Sequence, residues 1–89
     1  MKLSLSTKAI ARSIEDEAVV LDFGSDMYYG LNAAGAWIWE RLAQGGPVAV
    51  ETLLADLVAE FDVDRETAER DLNAFVGTLR SRKLVDVHD

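Results

Sequence analysis

The chain contains no cysteine. That excludes a disulfide framework, a thiolate nucleophile and sulfur-based metal sites, and it fits a reducing cytoplasm. Histidine occurs once, as His88 next to the end of the sequence, where it reads as a frayed tail rather than a general base. With no nucleophile-and-base pair, hydrolase and transferase chemistry lacks its parts, and the chain is not expected to be an enzyme. Positive charge is scarce as well: 9 Lys and Arg stand against 16 Asp and Glu, a net charge of −7. A field of that sign repels phosphate backbones, so nucleic acid is not the expected partner. No apolar run approaches membrane-spanning length, and Met1–Thr7 shows no export signal, which points to a cytoplasmic chain off the membrane. Gly24, Gly30, Gly35, Gly45 and Gly46 are scattered, and none makes a phosphate-cradling loop, so no nucleotide cofactor is expected.

What is present suits one small folded domain over residues 1–89, with its core in about 9–87. Of the 89 residues, 49% are hydrophobic and 28% charged, which supplies apolar surface to bury and charge to keep it soluble. Strand signals come first, in Ile10–Ile14, Ala18–Phe23 and Met27–Leu31, separated by Glu15-Asp16-Glu17 and Gly24-Ser25-Asp26. Period-two alternation groups Val19, Leu21 and Phe23 on one face and Met27, Tyr29 and Leu31 on another, with Tyr28 and Gly30 opposite. Asn32 is a candidate N-cap for a helix carrying Gly35, Ile38, Trp39 and Leu42 on one side and ending near Gly45-Gly46. A second helix follows Pro47 to about Phe61 with Val50, Leu53, Leu54, Leu57, Val58 and Phe61 as its apolar face, and Ala49 gives it a weak cap. The third is capped by Asp64, carries Ala68, Leu72, Phe75, Val76 and Leu79, and ends near Ser81-Arg82-Lys83. Leu84–Val87 reads as a brief extended segment. Strands first and helices after define an α+β fold: a three-stranded antiparallel sheet followed by three helices, like a winged helix-turn-helix.

Asp62, Asp64, Glu66, Glu69 and Asp71 lack the alternating ligands and central glycine of a calcium loop, so they read as a solvated acidic face and no metal is expected. The winged-helix order raises a competing function, a DNA-binding transcriptional regulator. The third helix opposes it, because Asp64, Glu66, Glu69 and Asp71 outnumber Arg65 and Arg70 in its N-terminal half. Binding to protein or peptide remains. Trp37 falls outside the apolar stripe of the first helix, either as a partner contact or as packing on a neighbouring element. Met27–Leu31, if it lies at the sheet edge, offers unpaired backbone groups to an added strand, with Tyr28 and Gly30 lining the approach; the same edge can pair with a second copy to form a homodimer.

The runs Val19-Val20-Leu21-Asp22, Tyr28-Tyr29-Gly30-Leu31-Asn32, Gly35-Ala36-Trp37-Ile38-Trp39-Glu40-Arg41-Leu42, Phe61-Asp62-Val63-Asp64 and Asp71-Leu72 together resemble the PqqD-like family. The resemblance spans roughly residues 9–87. It implies a small non-catalytic recognition domain for the leader segment of a ribosomally made, modified peptide. The leader is expected to add beside the third strand, in a groove closed by the third helix. By position, that implies a peptide-binding site at Asp26, Met27, Tyr28, Tyr29, Gly30, Asp71, Leu72, Phe75, Val76 and Leu79, with Asp71 and Arg80 pairing charged leader residues at the rim. The expected partners are the leader and a leader peptidase or other modifying enzyme, with the lasso-peptide branch favoured by the overall look. Trp37 stands where the family often has a polar or basic residue, which marks it for docking to that enzyme. Gly30 stands where a charged residue is frequent, which permits closer approach of another backbone.

Overall fold

The computed structural model describes residues 2–6, 9–15, 17–24 and 27–88. Their order is β1 (Lys2–Leu5), β2 (Ala9–Ile14), β3 (Glu17–Asp22), β4 (Met27–Leu31), α1 (Ala33–Ala43), β5 (Val48–Ala49), α2 (Val50–Phe61), α3 (Arg65–Ser81) and β6 (Val85–His88). The strands form two antiparallel three-stranded sheets, ordered β2-β3-β4 and β5-β1-β6. The fold is therefore α+β with the expected meander and three helices, plus a second sheet that the expectation did not contain.

In the meander, Val20 of β3 lies opposite Ala11 of β2 and Tyr29 of β4. This register buries Ala18, Val20 and Asp22, and it corrects the expected grouping. Leu21 and Phe23 are 38% and 58% exposed, on the side away from the core. The reason is local: Ala18-Val19-Val20-Leu21 is apolar at every position, so alternation has no phase of its own, and pairing with β4 sets it. Buried Asp22 ends the strand by accepting a hydrogen bond from the Gly24 N–H at 2.9 Å.

Asn32 caps α1 as expected, its Oδ1 accepting from the Gly35 N–H at 2.9 Å. The helix buries Gly35, Ile38, Trp39 and Leu42, the stripe that the sequence marks. Helix α2 has no side-chain cap at Ala49 and stops at Asp62, whose φ of 51° is left-handed, a conformation that aspartate tolerates better than most residues. Asp64 caps α3 through Oδ2 and the Thr67 N–H at 3.1 Å. At the other end of α3, the Leu84 N–H reaches the Leu79 carbonyl at 2.9 Å and the Lys83 N–H reaches Arg80 at 3.0 Å, with Lys83 left-handed at φ 59°. This paired closure turns the chain sharply into β6 and brings Leu84 into the core against Leu79.

The second sheet joins segments far apart in the chain. Strand β1 is its centre, pairing Leu3 with Val48 on one side and with Val87 on the other. Leu3 is completely buried. His88 belongs to β6, opposite Lys2, and its Nε2 lies 2.8 Å from the Ser4 hydroxyl, so the frayed-tail reading is corrected. A backbone held by a ladder does not fray as a free end does. Among the described residues, no helix is long and apolar enough to cross a membrane.

Candidate functional site

Strand β4 is an edge: it pairs with β3 on one side, and no described strand lies on the other. An edge strand turns alternate N–H and C=O groups outward with no ladder partner. Helix α3 lies across from this edge, and the first of two adjoining hollows lies between them. The first, about 300 Å³, is lined by Val20, Tyr29, Gly30, Leu31, Phe75, Thr78, Leu79, Arg82 and Leu84, with Asn32 and Gly35 at its far end. The second, about 410 Å³, shares Asn32, Gly35 and Phe75 and runs on between α1, α2 and α3 past Ile38, Leu57, Phe61, Val63, Ala68, Asp71 and Leu72. Joined at Asn32, Gly35 and Phe75, they form a largely apolar trough that starts beside β4 and continues along α3 between the helices. Its middle depends on Gly35, where a Cβ would lie 3.5 Å from the Phe75 ring and 3.3 Å from the Asn32 carboxamide.

The structure brings most of the expected residues to this trough, in different roles. Tyr29, Gly30, Phe75 and Leu79 line the first hollow, and Asp71, Leu72 and Phe75 line the second. Val76 is buried and lines neither. Tyr28 is 72% exposed and lies on the outer face of the sheet, opposite Leu21, so only its backbone belongs to the edge. Met27 is exposed at the start of the strand, and Asp26 lies outside the described residues. Arg80 lines neither hollow. Five positions beyond Phe75, it is turned well away from the stripe that faces β4.

The cation that does reach the trough is Arg82, which the sequence presented only as a complement to the helix dipole. Its guanidinium stacks over the Tyr29 ring at 4.1 Å, and its Nη1 donates to the Tyr29 hydroxyl at 2.6 Å. This contact bridges the end of α3 to the edge strand. The signal was in the spacing, since Phe75, Leu79 and Arg82 continue one helical stripe. Asn32, Gly35 and Thr78 were also missed; the first two were read only as cap and core of α1.

Trp37 is half-buried, with one side against α2 and the other on a surface hollow it shares with Ser13 and Glu60. Its ring meets Phe61 edge-on at 6.0 Å and 88°, and Arg41 lies 5.2 Å from its centroid while pairing with Asp56 at 2.8 Å. These contacts fasten α1 to α2. Among the described residues, no three His, Cys, Asp or Glu side chains come close enough together to hold a metal ion.

Comparison with known proteins agrees with this geometry. Residues 17–85 match the family described as Coenzyme PQQ synthesis protein D (PqqD). Comparison with curated proteins gives no match. Two solved structures are similar over nearly the whole chain. One is TbiB1 in complex with the TbiA(beta) leader peptide, at 34% identity and a TM-score of 0.83 over 97% of this chain and 98% of that one. The other is lasso peptide synthetase B1 complexed with the leader peptide, at 28% identity and a TM-score of 0.78 over 98% of this chain and 100% of that one.

Proposed function

The chain belongs to the PqqD family, and from that premise we propose that residues 1–89 form one recognition domain that holds the leader segment of a ribosomally made precursor peptide. Proteins of this family are non-catalytic peptide-binding adaptors. The leader adds as a further strand on β4 and rests its side chains in the trough facing α3, within a winged-helix arrangement of the sheet and helices. Main-chain hydrogen bonds to the open edge give affinity, and the two hollows give register. The observation that carries this reading is the coincidence of a strand edge that no described strand covers with an apolar hollow between that edge and α3. Both similar solved structures are complexes with a leader peptide, which supports it.

Holding the leader raises the local concentration of the attached core peptide at a leader-cleaving or other modifying enzyme. Lasso-peptide synthesis is the branch favoured, in the cytoplasm, with the enzyme meeting the α1 side near Trp37. A net charge of −7 disfavours the DNA-binding alternative.

The test is a fluorescence-anisotropy titration with a labelled precursor leader peptide, at low and high salt. Saturable binding that survives high salt is expected, because an added strand over an apolar trough releases few counterions. Phe75→Ala and Tyr29→Ala are each expected to weaken it more than about tenfold, the usual consequence of removing an anchor from a desolvated pocket. Unchanged affinity in both folded variants would move the leader elsewhere, and binding only to duplex DNA, steeply lost with salt, would replace the function.

A further inference from the structure

The two hollows carry one charge each, and the signs are opposite. Arg82 is the charged side chain of the first hollow and Asp71 that of the second. Asp71, Phe75, Thr78 and Arg82 recur at helical spacing, so the two charges stand at the ends of one stripe that runs along α3 to its C-cap, Arg82, with Phe75 and Thr78 between them. Neither has an ion-pair partner among the described residues.

We infer that this stripe reads charge in the leader: a leader carboxylate is held at Arg82, and a leader ammonium or guanidinium at Asp71. This rests on the leader-binding function proposed above and deepens it. Arg82 is already placed for the task. Stacking on Tyr29 fixes the guanidinium plane, one N–H goes to the phenol, and the remaining donors are left for an anion. A chain of net charge −7 repels carboxylates over most of its surface, so a cation at the mouth of the trough gives an acidic leader residue one favourable position. Asp71 does the same for a basic residue at the other end.

Geometry sets the spacing. Asp71 and Arg82 are eleven positions apart, and at about 1.5 Å per helical residue that step covers roughly 16 Å. At about 3.3 Å per strand residue, that distance is roughly five residues of an extended peptide. Side chains on one face of a strand recur every second residue, so the acidic and basic leader residues stand about four or six positions apart.

The experiment titrates the same labelled leader, and variants in which each Asp and Glu becomes its amide, against the unmodified chain, Arg82→Gln and Arg82→Glu, with circular dichroism confirming each fold. One amide change is expected to weaken binding to the unmodified chain about fivefold and to leave binding to Arg82→Gln unaltered, the size of a rim charge pair partly shielded on binding. Arginine at that leader position is expected to restore binding to Arg82→Glu. A leader that binds through the β4 trough with no acidic residue coupled to Arg82 overturns the charge reading and leaves leader recognition standing. A leader that does not bind the unmodified chain at all overturns both.

Discussion

The two sheets solve opposite problems. The β5-β1-β6 sheet gathers residues from both ends and the middle of the chain around a completely buried Leu3, and its two edge strands, β5 and β6, are only 2 and 4 residues long. Edges that short offer little to another chain. The β2-β3-β4 sheet is built from consecutive strands, and its edges are longer, β2 of 6 residues and β4 of 5, with no described strand beside either; β4 is the one with the apolar hollow against it. The first sheet closes the fold, while the second leaves it open along the flank that α3 overlooks. The consequence is a separation of tasks, in which stability rests on the distant pairings and recognition on the local ones.

The comparison breaks most plainly at Leu3. Leu3→Ala removes a fully buried side chain from the middle of the closing sheet and is expected to cost about 2–5 kcal/mol in urea unfolding. The fraction that remains folded is expected to bind the leader normally, and a matching loss of leader affinity in that fraction would erase the division between sheets. On the recognition side, Phe75→Ala is expected to cost leader binding about 2 kcal/mol. Its cost in stability is expected to be smaller than that of Leu3→Ala, because the ring is only half-buried.

The link between the two regions is the turn after α3, which carries Arg82 toward β4 and Leu84 toward the core. Lys83 holds the left-handed position there, where glycine has no Cβ penalty. Lys83→Gly is expected to stabilise the chain by about 0.5–1 kcal/mol, the relief of left-handed strain less the added freedom of the unfolded chain. Thermal unfolding checks the sign. The smallest effect is at the start of the same helix. The Thr67 side chain and backbone N–H hold the Asp64 carboxyl below the usual aspartate range. A depressed folded-state value means that this stabilisation is present above the ordinary aspartate pKa and is lost as pH falls through the lowered one. Asp64→Asn keeps a cap and removes the titration. Parallel unfolding curves in acid are therefore expected to fall less steeply for the variant than for the unmodified chain.

The sequence made the local half of this molecule readable and hid the rest for physical reasons. Asn32 and Asp64 announce their helices, and the stripe Gly35, Ile38, Trp39, Leu42 is the buried face of α1, because caps and period are written into neighbouring residues. The phase of β3 was not readable, since four successive apolar residues suit either face. Strand β1 escaped notice because Lys2–Leu5 is only 4 residues long and finds its partners near positions 48 and 86. At the site, Phe75, Leu79 and Tyr29 followed from the resemblance. Arg82 did not, although it continues the Phe75–Leu79 stripe that Arg80 leaves. A charged residue at a helix end has a sufficient explanation in the dipole, and that explanation concealed its reach to Tyr29.

The most direct test of the central claim is amide hydrogen exchange of the full chain with and without the leader peptide. The account predicts new protection in residues 27–31, where the open edge gains a ladder, with smaller changes along α3 and none in β1 or β6. Protection confined to the β5-β1-β6 sheet, or binding that leaves residues 27–31 exchanging as before, would contradict it.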